Sequence, residues 1–575
     1  MVSDERALAG RLASADDDAL ARVFEARGVA PTAPWHDFFD AAAALLDPAS
    51  VERALVRLPR NALVPLKAAL EGDPLSDADR AALRPLALVD DAGAPFTAVA
   101  VQLDAVAAAH PGAFVLSPAE GAPVASETDT AAAAERAFAT VGSLADILVA
   151  GLHSPLARTG TGSVSAVERR RLTDAGALGE TDDVDDLIVA AGSAGLVTAV
   201  GREWVVTAEG GAWLETTTAE RWAQVVEGFR GALPTGLRTA DGGFLPAAQW
   251  AHAYPLNPEW PEQAERLLRI AEAWGLLTPA DSEPAWTAAL RAGEPASPAD
   301  LAAHLPAEID RVYLQADLTA IAPGPLAPAL DLRLRTIAAR ESRAQASTYR
   351  FSTESLGAGM TEGESAESIR SFLRGLSLTG IPQPLDYLID STAARHGLVR
   401  IRAAAGRTRL EAADPALRET ILVDQALRPL GFLRDGDELV TRVERDAVYW
   451  ALAEGRYPVV ALDDAGEPVS LRRRGRAADR GDDTDPRQAY ARLIGALREG
   501  QETDSDAAWL GRELEQAVRA KSVIVVVVRM PDGSARSLTL EASGLGGGRL
   551  RGLDRAADVE RTLPVSSIVS VRSAS

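Results

Sequence analysis

Three breaks in the apolar patterning constrain this chain most. They are Pro111 to Thr130, rich in Pro, Gly, Ser, Glu and Ala; Pro279 to Pro298; and Leu471 to Arg487, a charged run reading LRRRGRAADRGDDTDPR. Stretches of this kind bury too little apolar surface to offset the entropy of ordering them, so they read as linkers. The 575 residues are in any case too many for one core. Between the breaks, periodicity gives a helical N-terminal region (1–125), three helices plus a hairpin (131–231), a helical connector (235–300) and an α+β unit (305–465). A charged linker (470–487) then precedes two helices and a small β unit (488–575). The expected class is α+β, mainly α, and multidomain.

The first region carries apolar positions at helical spacing, among them Leu8, Leu12, Leu20, Val23 and Phe24, with Trp35, Phe38 and Phe39 as core aromatics. Helices are expected over Ala134 to Leu152, Val164 to Leu172 and Asp183 to Ala194. Two strands, Leu196 to Val200 and Trp204 to Thr207, turn at Gly201-Arg202. Three helices plus a two-stranded wing is the winged-helix plan, which serves DNA binding and also protein docking. The third helix opens with Asp182, Asp183, Asp185 and Asp186, which would face phosphates with negative charge. Docking is therefore favoured over base readout, and the run Arg169, Arg170, Arg171 on the preceding helix remains a candidate backbone contact. Trp250, Trp260, Trp274 and Trp286 are irregularly spaced, which fits buried packing better than a stacking platform.

The centre, Arg311 to Arg402, reads as a strand (Val312 to Ala316), a Pro323-Gly324-Pro325 corner, a helix through Leu330, Leu334 and Ile337, and a strand over Thr348 to Phe351. Thr361 and Glu364 have capping-box spacing. A stripe of Ile369, Phe372, Leu373 and Leu376 and a helix after Pro382-Gln383-Pro384 follow. Arg333 and Arg340, seven apart, are expected on one helix face. Arg400, Arg402, Arg407 and Arg409 cluster on the next hairpin and are the strongest phosphate-contact candidates. The words VYLQADLTAIAPGPL, ESR (Glu341 to Arg343), YRF and IPQPLDYLID resemble the helicase-associated domain in the N-terminal part of XPB-type DNA helicases, which high-GC bacteria carry on motor-less proteins. The resemblance implies an XPB-type helicase or DNA (single-stranded, forked or duplex) as partner.

The last segment, Lys521 to Val571, is all β in pattern. Leu540-Glu541, Arg551-Gly552-Leu553-Asp554 and Glu560-Arg561-Thr562-Leu563 resemble the WYL domain, which implies a small Sm-like or SH3-like barrel. The signature Trp-Tyr-Leu falls on Gly548-Arg549-Leu550, so only the leucine remains. Arg549, Arg551 and Arg555 are left as anion-binding candidates.

The formal net charge of −23 repels a polyanion at long range, so any nucleic-acid contact needs a local basic patch. Lys67 and Lys521 are the sole lysines, and neither follows a glycine, so no Walker A lysine exists and an autonomous helicase motor is not expected. There is no cysteine, no H-E-x-x-H and no G-x-S-x-G, and GLGGGR lacks the last glycine of a dinucleotide loop. No catalytic site, metal or cofactor is expected. The acidic N-terminus and the brevity of Val523 to Val528, the longest dense apolar run, point to a cytoplasmic protein without a membrane span. The leading expectation is a non-catalytic helicase- or DNA-binding adaptor in DNA repair or transcription. A ligand-responsive regulator and an accessory subunit of an active helicase or nuclease are the alternatives.

Overall fold

The computed structural model describes residues 4–115, 121–179, 182–342, 346–404, 406–412, 414–455, 457–463, 466, 468–469, 486–503, 506–519, 521–530, 534–555 and 557–573. Most of the charged run that starts at Leu471, residue Arg343 of the ESR word and residues 116–120 of the first break lie outside them. The architecture is mixed α+β, and the buried apolar side chains of the described residues gather into five cores. No described helix is long and apolar enough to cross a membrane.

The first core is helical: α1 (Asp4–Ser14), α2 (Asp17–Ala26), α3 (Phe38–Leu46), α4 (Pro48–Val56), α5 (Arg60–Leu70), α6 (Asp77–Leu83) and α7 (Thr97–Ala109). Side-chain oxygens of Asp16, Asp37, Asp47 and Ser76 accept from the first free N–H groups and so fix where α2, α3, α4 and α6 begin. Phe24 and Phe38 are fully buried, and Trp35 lies edge-on to Phe24 at 5.6 Å.

The second core runs from Ala133 to Leu301 and takes in both the stretch read as helices plus hairpin and the stretch read as a connector. Its elements are α8 (Glu127–His153), β1 (Leu156–Ala157), α9 (Ala166–Asp174), α10 (Val184–Ser193), β2 (Val197–Val200), β3 (Glu203–Val206), α11 (Ala208–Trp213), α12 (Thr218–Ala232), α13 (Trp260–Ala273), α14 (Ala285–Arg291) and α15 (Pro298–Ala302). The small sheet has the order β1-β3-β2. Tryptophans tie the unit together because buried indole N–H groups find carbonyls. Trp222 donates to Trp274 (2.8 Å), Trp250 to Leu245 (2.7 Å), Trp260 to Trp250 (2.7 Å) and Trp286 to Gly275 (2.9 Å).

The third core holds β4 (Tyr313–Leu314), β5 (Thr319–Ala322), α16 (Pro328–Ile337), β6 (Ala339–Ser342), β7 (Ser347–Arg350), α17 (Thr353–Thr361), α18 (Ala366–Leu376) and α19 (Gln383–Arg395), with sheet order β4-β5-β7-β6. The stripe Ile369, Phe372, Leu373 and Leu376 of α18 is buried. Two expectations are corrected. Thr361 ends α17, and the capping boxes use Ser352 with Ser355 and Ser365 with Ser368. Arg340 is not on the helix of Arg333, because α16 stops at Ile337 and the chain turns extended at Ala338 (φ −144°, ψ 140°) to pair as β6 with β7.

The fourth core lies under a six-stranded sheet of order β10-β11-β9-β8-β12-β13, from β8 (Val399–Ala404), β9 (Arg407–Ala412), β10 (Leu433–Asp435), β11 (Glu438–Thr441), β12 (Val459–Leu462) and β13 (Pro468–Val469). Helices α20 (Pro415–Val423) and α21 (Arg445–Glu454) cover one face. The last sheet, β17-β16-β15-β14-β18, comprises β14 (Val523–Arg529), β15 (Ala535–Gly546), β16 (Arg549–Asp554), β17 (Val559–Pro564) and β18 (Ile568–Ser573). It is open where a barrel was expected. No ladder joins its outer strands β17 and β18, and its apolar face is covered by α23 (Asp506–Arg519). The helix before that, α22 (Pro486–Thr503), packs instead into the first core, against α2 and α3.

Candidate nucleic-acid interface

An arginine can meet phosphate only if its guanidinium is exposed and not already neutralised. The eleven candidate arginines divide sharply on this test. On α9, Arg169 reaches Asp185 at 2.9 Å and Asp183 at 3.9 Å, and Arg171 reaches Glu168 at 2.7 Å. Arg170 is 85% exposed and has only Asp174, 3.9 Å away. Asp185 also accepts from the Val164 N–H, and Asp183 caps α10. Asp186 accepts from Arg266 (2.6 Å) and Arg269 (3.3 Å) of α13. The acidic run therefore clamps neighbouring elements. Helix α10 packs against α8, α12 and α13. Gly228 lets α12 approach so closely that a Cβ there would lie 2.5 Å from the Ala194 Cα. The exposed strip of α10 is short, Val189 and Gly192, and the helix carries no basic side chain to hold a phosphate.

Arg333 forks onto Glu364 (2.9 and 3.2 Å) and stacks over Phe372, 4.5 Å from its ring centre. Arg340 is bound to Asp146 of α8, a carboxylate only 3% exposed, which also takes Arg335 at 2.8 Å. Asp331 completes the cluster, 3.7 Å from Arg335 and 3.9 Å from Arg340, and accepts from the Tyr349 hydroxyl at 2.5 Å. Burial, then Asp331, push the Tyr349 phenol far above its ordinary value, so it stays a neutral donor. Arg333 and Arg340 thus diverge, one spent within the third core and the other on its contact with the second.

Further along α8, His153 Nε2 lies 3.5 Å from Glu362, the residue that follows α17. The Glu362 hydrogen bond raises the His153 pKa against an opposing effect of burial. A raised pKa means that the contribution is complete at acidic pH, below about 6.5, and is lost as pH climbs through the raised value. The side chain is 62% exposed, so the contribution is held to about 0.5 kcal/mol by solvent screening. His153→Gln is expected to flatten a small loss of thermal midpoint between pH 5.5 and 8; an unchanged slope would exclude this pair as its source.

On the outer face of the six-stranded sheet, Arg402 and Arg409 stand opposite each other in register. Glu438 reconciles them, accepting from Arg402 at 2.9 Å and Arg409 at 2.6 Å, while Asp435 lies 3.2 Å from Arg409. The Arg409 hydrogen bond, helped by Arg402, holds the Glu438 carboxyl below its ordinary range. Arg400 is exposed opposite Glu411, with only a 3.4 Å contact to the Gly397 carbonyl. Arg407 is exposed at the hairpin end.

On β16 the exposed Arg549 and Arg551 alternate with buried Leu550 and Gly552, facing Pro564 and Thr562 of β17. Neither has an acidic partner among the described residues, whereas Arg555 pairs with Glu541 (2.8 Å) and Arg561 with Asp554 (2.7 Å). Residues 521–575 hold eight basic against five acidic side chains, a local reversal of the chain's net charge, and no aromatic residue. Such a face can attract phosphate but cannot stack bases.

Six candidates are therefore neutralised internally: Arg169, Arg171, Arg333, Arg340, Arg402 and Arg409. Arg170, Arg400, Arg407, Arg549 and Arg551 point outward on four elements, α9, β8, β9 and β16. The acidic partners Asp146 and Glu438 escaped the sequence reading, and Glu364, expected in a capping box, instead takes Arg333. Asp146 alone had left a signal, a lone carboxylate inside the apolar run Leu144-Ala145-Asp146-Ile147-Leu148. Among the described residues, no group of three or more His, Asp or Glu side chains is placed to hold a metal ion.

What fold and site define is a mixed α+β protein with several cores, whose outward basic charge is sparse and clearest on its C-terminal sheet. Residues 312–435, from the first strand of the third core to the β10 edge of the fourth, match the helicase conserved C-terminal domain. This stretch, less than a quarter of the chain, is similar to a helicase-related domain. No curated protein matches the chain.

Proposed function

We propose that this protein is a non-catalytic adaptor that docks on a helicase of the XPB type, in DNA repair or transcription, and touches DNA through phosphates only. The observation that carries this reading is the helicase-domain match at 312–435 in a chain without a Walker A lysine. The distribution of charge supports docking over sequence readout. The three helices and hairpin of the second core resemble a winged-helix plan, yet α10 opens with carboxylates, and its Asp186 is held by Arg266 of α13, as suits a scaffold. The C-terminal sheet, WYL-like in sequence, offers Arg549 and Arg551 to a backbone without the aromatics that base recognition uses.

Titration against duplex, forked and single-stranded DNA at two salt concentrations tests the DNA half. Binding is expected to be weak, indifferent to sequence and steeply salt-dependent. Arg549→Ala with Arg551→Ala is expected to lower the salt slope by about two, one per phosphate contact, while Arg333→Ala leaves it unchanged. Undetectable binding at low salt would remove DNA from the reading. Failure of the full chain to bind a purified XPB-type helicase would remove the adaptor.

A further inference from the structure

Helix α22 follows the second-core, third-core and fourth-core units in sequence, yet it completes the first core. Tyr490, Leu493, Ile494 and Leu497, spaced i, i+3, i+4 and i+7, are all at most 7% exposed there. The Tyr490 hydroxyl donates to the Val29 carbonyl at 2.7 Å, and its ring lies edge-on to Phe24 at 5.8 Å. Arg498 donates to the carbonyls of Ala13 (2.7 Å) and Ala15, lies 3.2 Å from Asp17 and stacks on Phe38 at 5.3 Å. Arg487 reaches Asp18 at 3.4 Å. At Gly500 the helix touches backbone, since a Cβ there would lie 2.0 Å from the His36 carbonyl oxygen. These contacts define a receptor with an aromatic pocket, an acidic rim and a close-approach point.

We propose that the N-terminal helical unit is a receptor for an amphipathic helix, and that its groove takes α22 from a second copy of this chain as well as from its own. Every contact above is blind to connectivity. Residues 470–485, which lead into α22, span up to about 50 Å when extended, and a tether of that length gives an effective concentration in the millimolar range. The intact chain therefore favours its own helix, and exchange between copies becomes visible once the tether is cut. Residues 486–575 are then an arm that α22 docks onto the N-terminal helices, a feature independent of the helicase and DNA reading.

The test uses full-length chains carrying an engineered protease site within 470–485, one population tagged at the C-terminus. Both are cut, mixed and followed by native mass spectrometry. The halves are expected to stay joined and hybrid complexes to accumulate over time. Separation of the halves on cutting, or halves that stay joined without ever forming hybrids, would overturn the proposal. Gly500→Leu is expected to weaken retention of the arm at least tenfold, and Arg492→Ala, on the exposed side of α22, to leave it unchanged. Tyr490→Phe removes one hydrogen bond without emptying the pocket and is expected to speed hybrid formation several-fold; an unchanged rate would count against the Val29 contact as part of the receptor.

Discussion

Asp146→Ala is expected to lower stability by about 3–5 kcal/mol, the cost of leaving buried guanidinium groups without their counter-charge. Arg335 and Arg340 are only 17% and 15% exposed, and with Asp146 gone their remaining acidic neighbour is Asp331, near 4 Å from each. Chemical denaturation of the full chain measures the effect. Asp146→Ala combined with Arg340→Met is expected to recover part of the loss, because an apolar side chain of similar volume needs no counter-ion. A loss below about 1 kcal/mol in the single variant would mean that water already reaches the cluster. The change is also expected to loosen the third core from α8, since Asp146 bonds side chains almost two hundred positions away in sequence.

Trp222→Ala is expected to cost about 3–5 kcal/mol, combining lost transfer energy with the cavity left behind. The side chain is fully buried, donates to the Trp274 carbonyl and lies edge-on to Trp286 at 6.4 Å. It thus joins the helices before residue 231 to those after 235 in one core. Unfolding followed by fluorescence is expected to shift for both stretches together. Two separate transitions would mean that the stretches fold independently.

Local pattern made much of this fold readable. The α18 stripe, the α8 helix, the hairpin after Gly201 and the burial of the scattered tryptophans all follow from spacing that a few residues set among themselves. What the sequence did not disclose depends on contacts far apart along the chain. Arg333 and Arg340 share a helix by spacing alone, and no Gly or Pro stands between them, but pairing of Ala339 to Ser342 with β7 ends the helix early. The all-β pattern of the C-terminal segment could be read, whereas closure depends on whether the outer strands meet, and α23 takes the apolar face instead. The candidate site followed the same division. Exposure of Arg549 and Arg551 was legible from β alternation, while neutralisation of Arg340 by Asp146, and of Arg402 by Glu438, was not.

The placement of α22 sets a timetable for synthesis. The N-terminal helices leave the ribosome first, but the helix that seals Phe24 and Phe38 is translated nearly four hundred residues later. At about 5–20 residues per second, that is a wait of about 20–80 s with an apolar groove open to solvent. A nascent chain arrested before residue 486 is therefore expected to bind a holdase chaperone that the finished protein ignores.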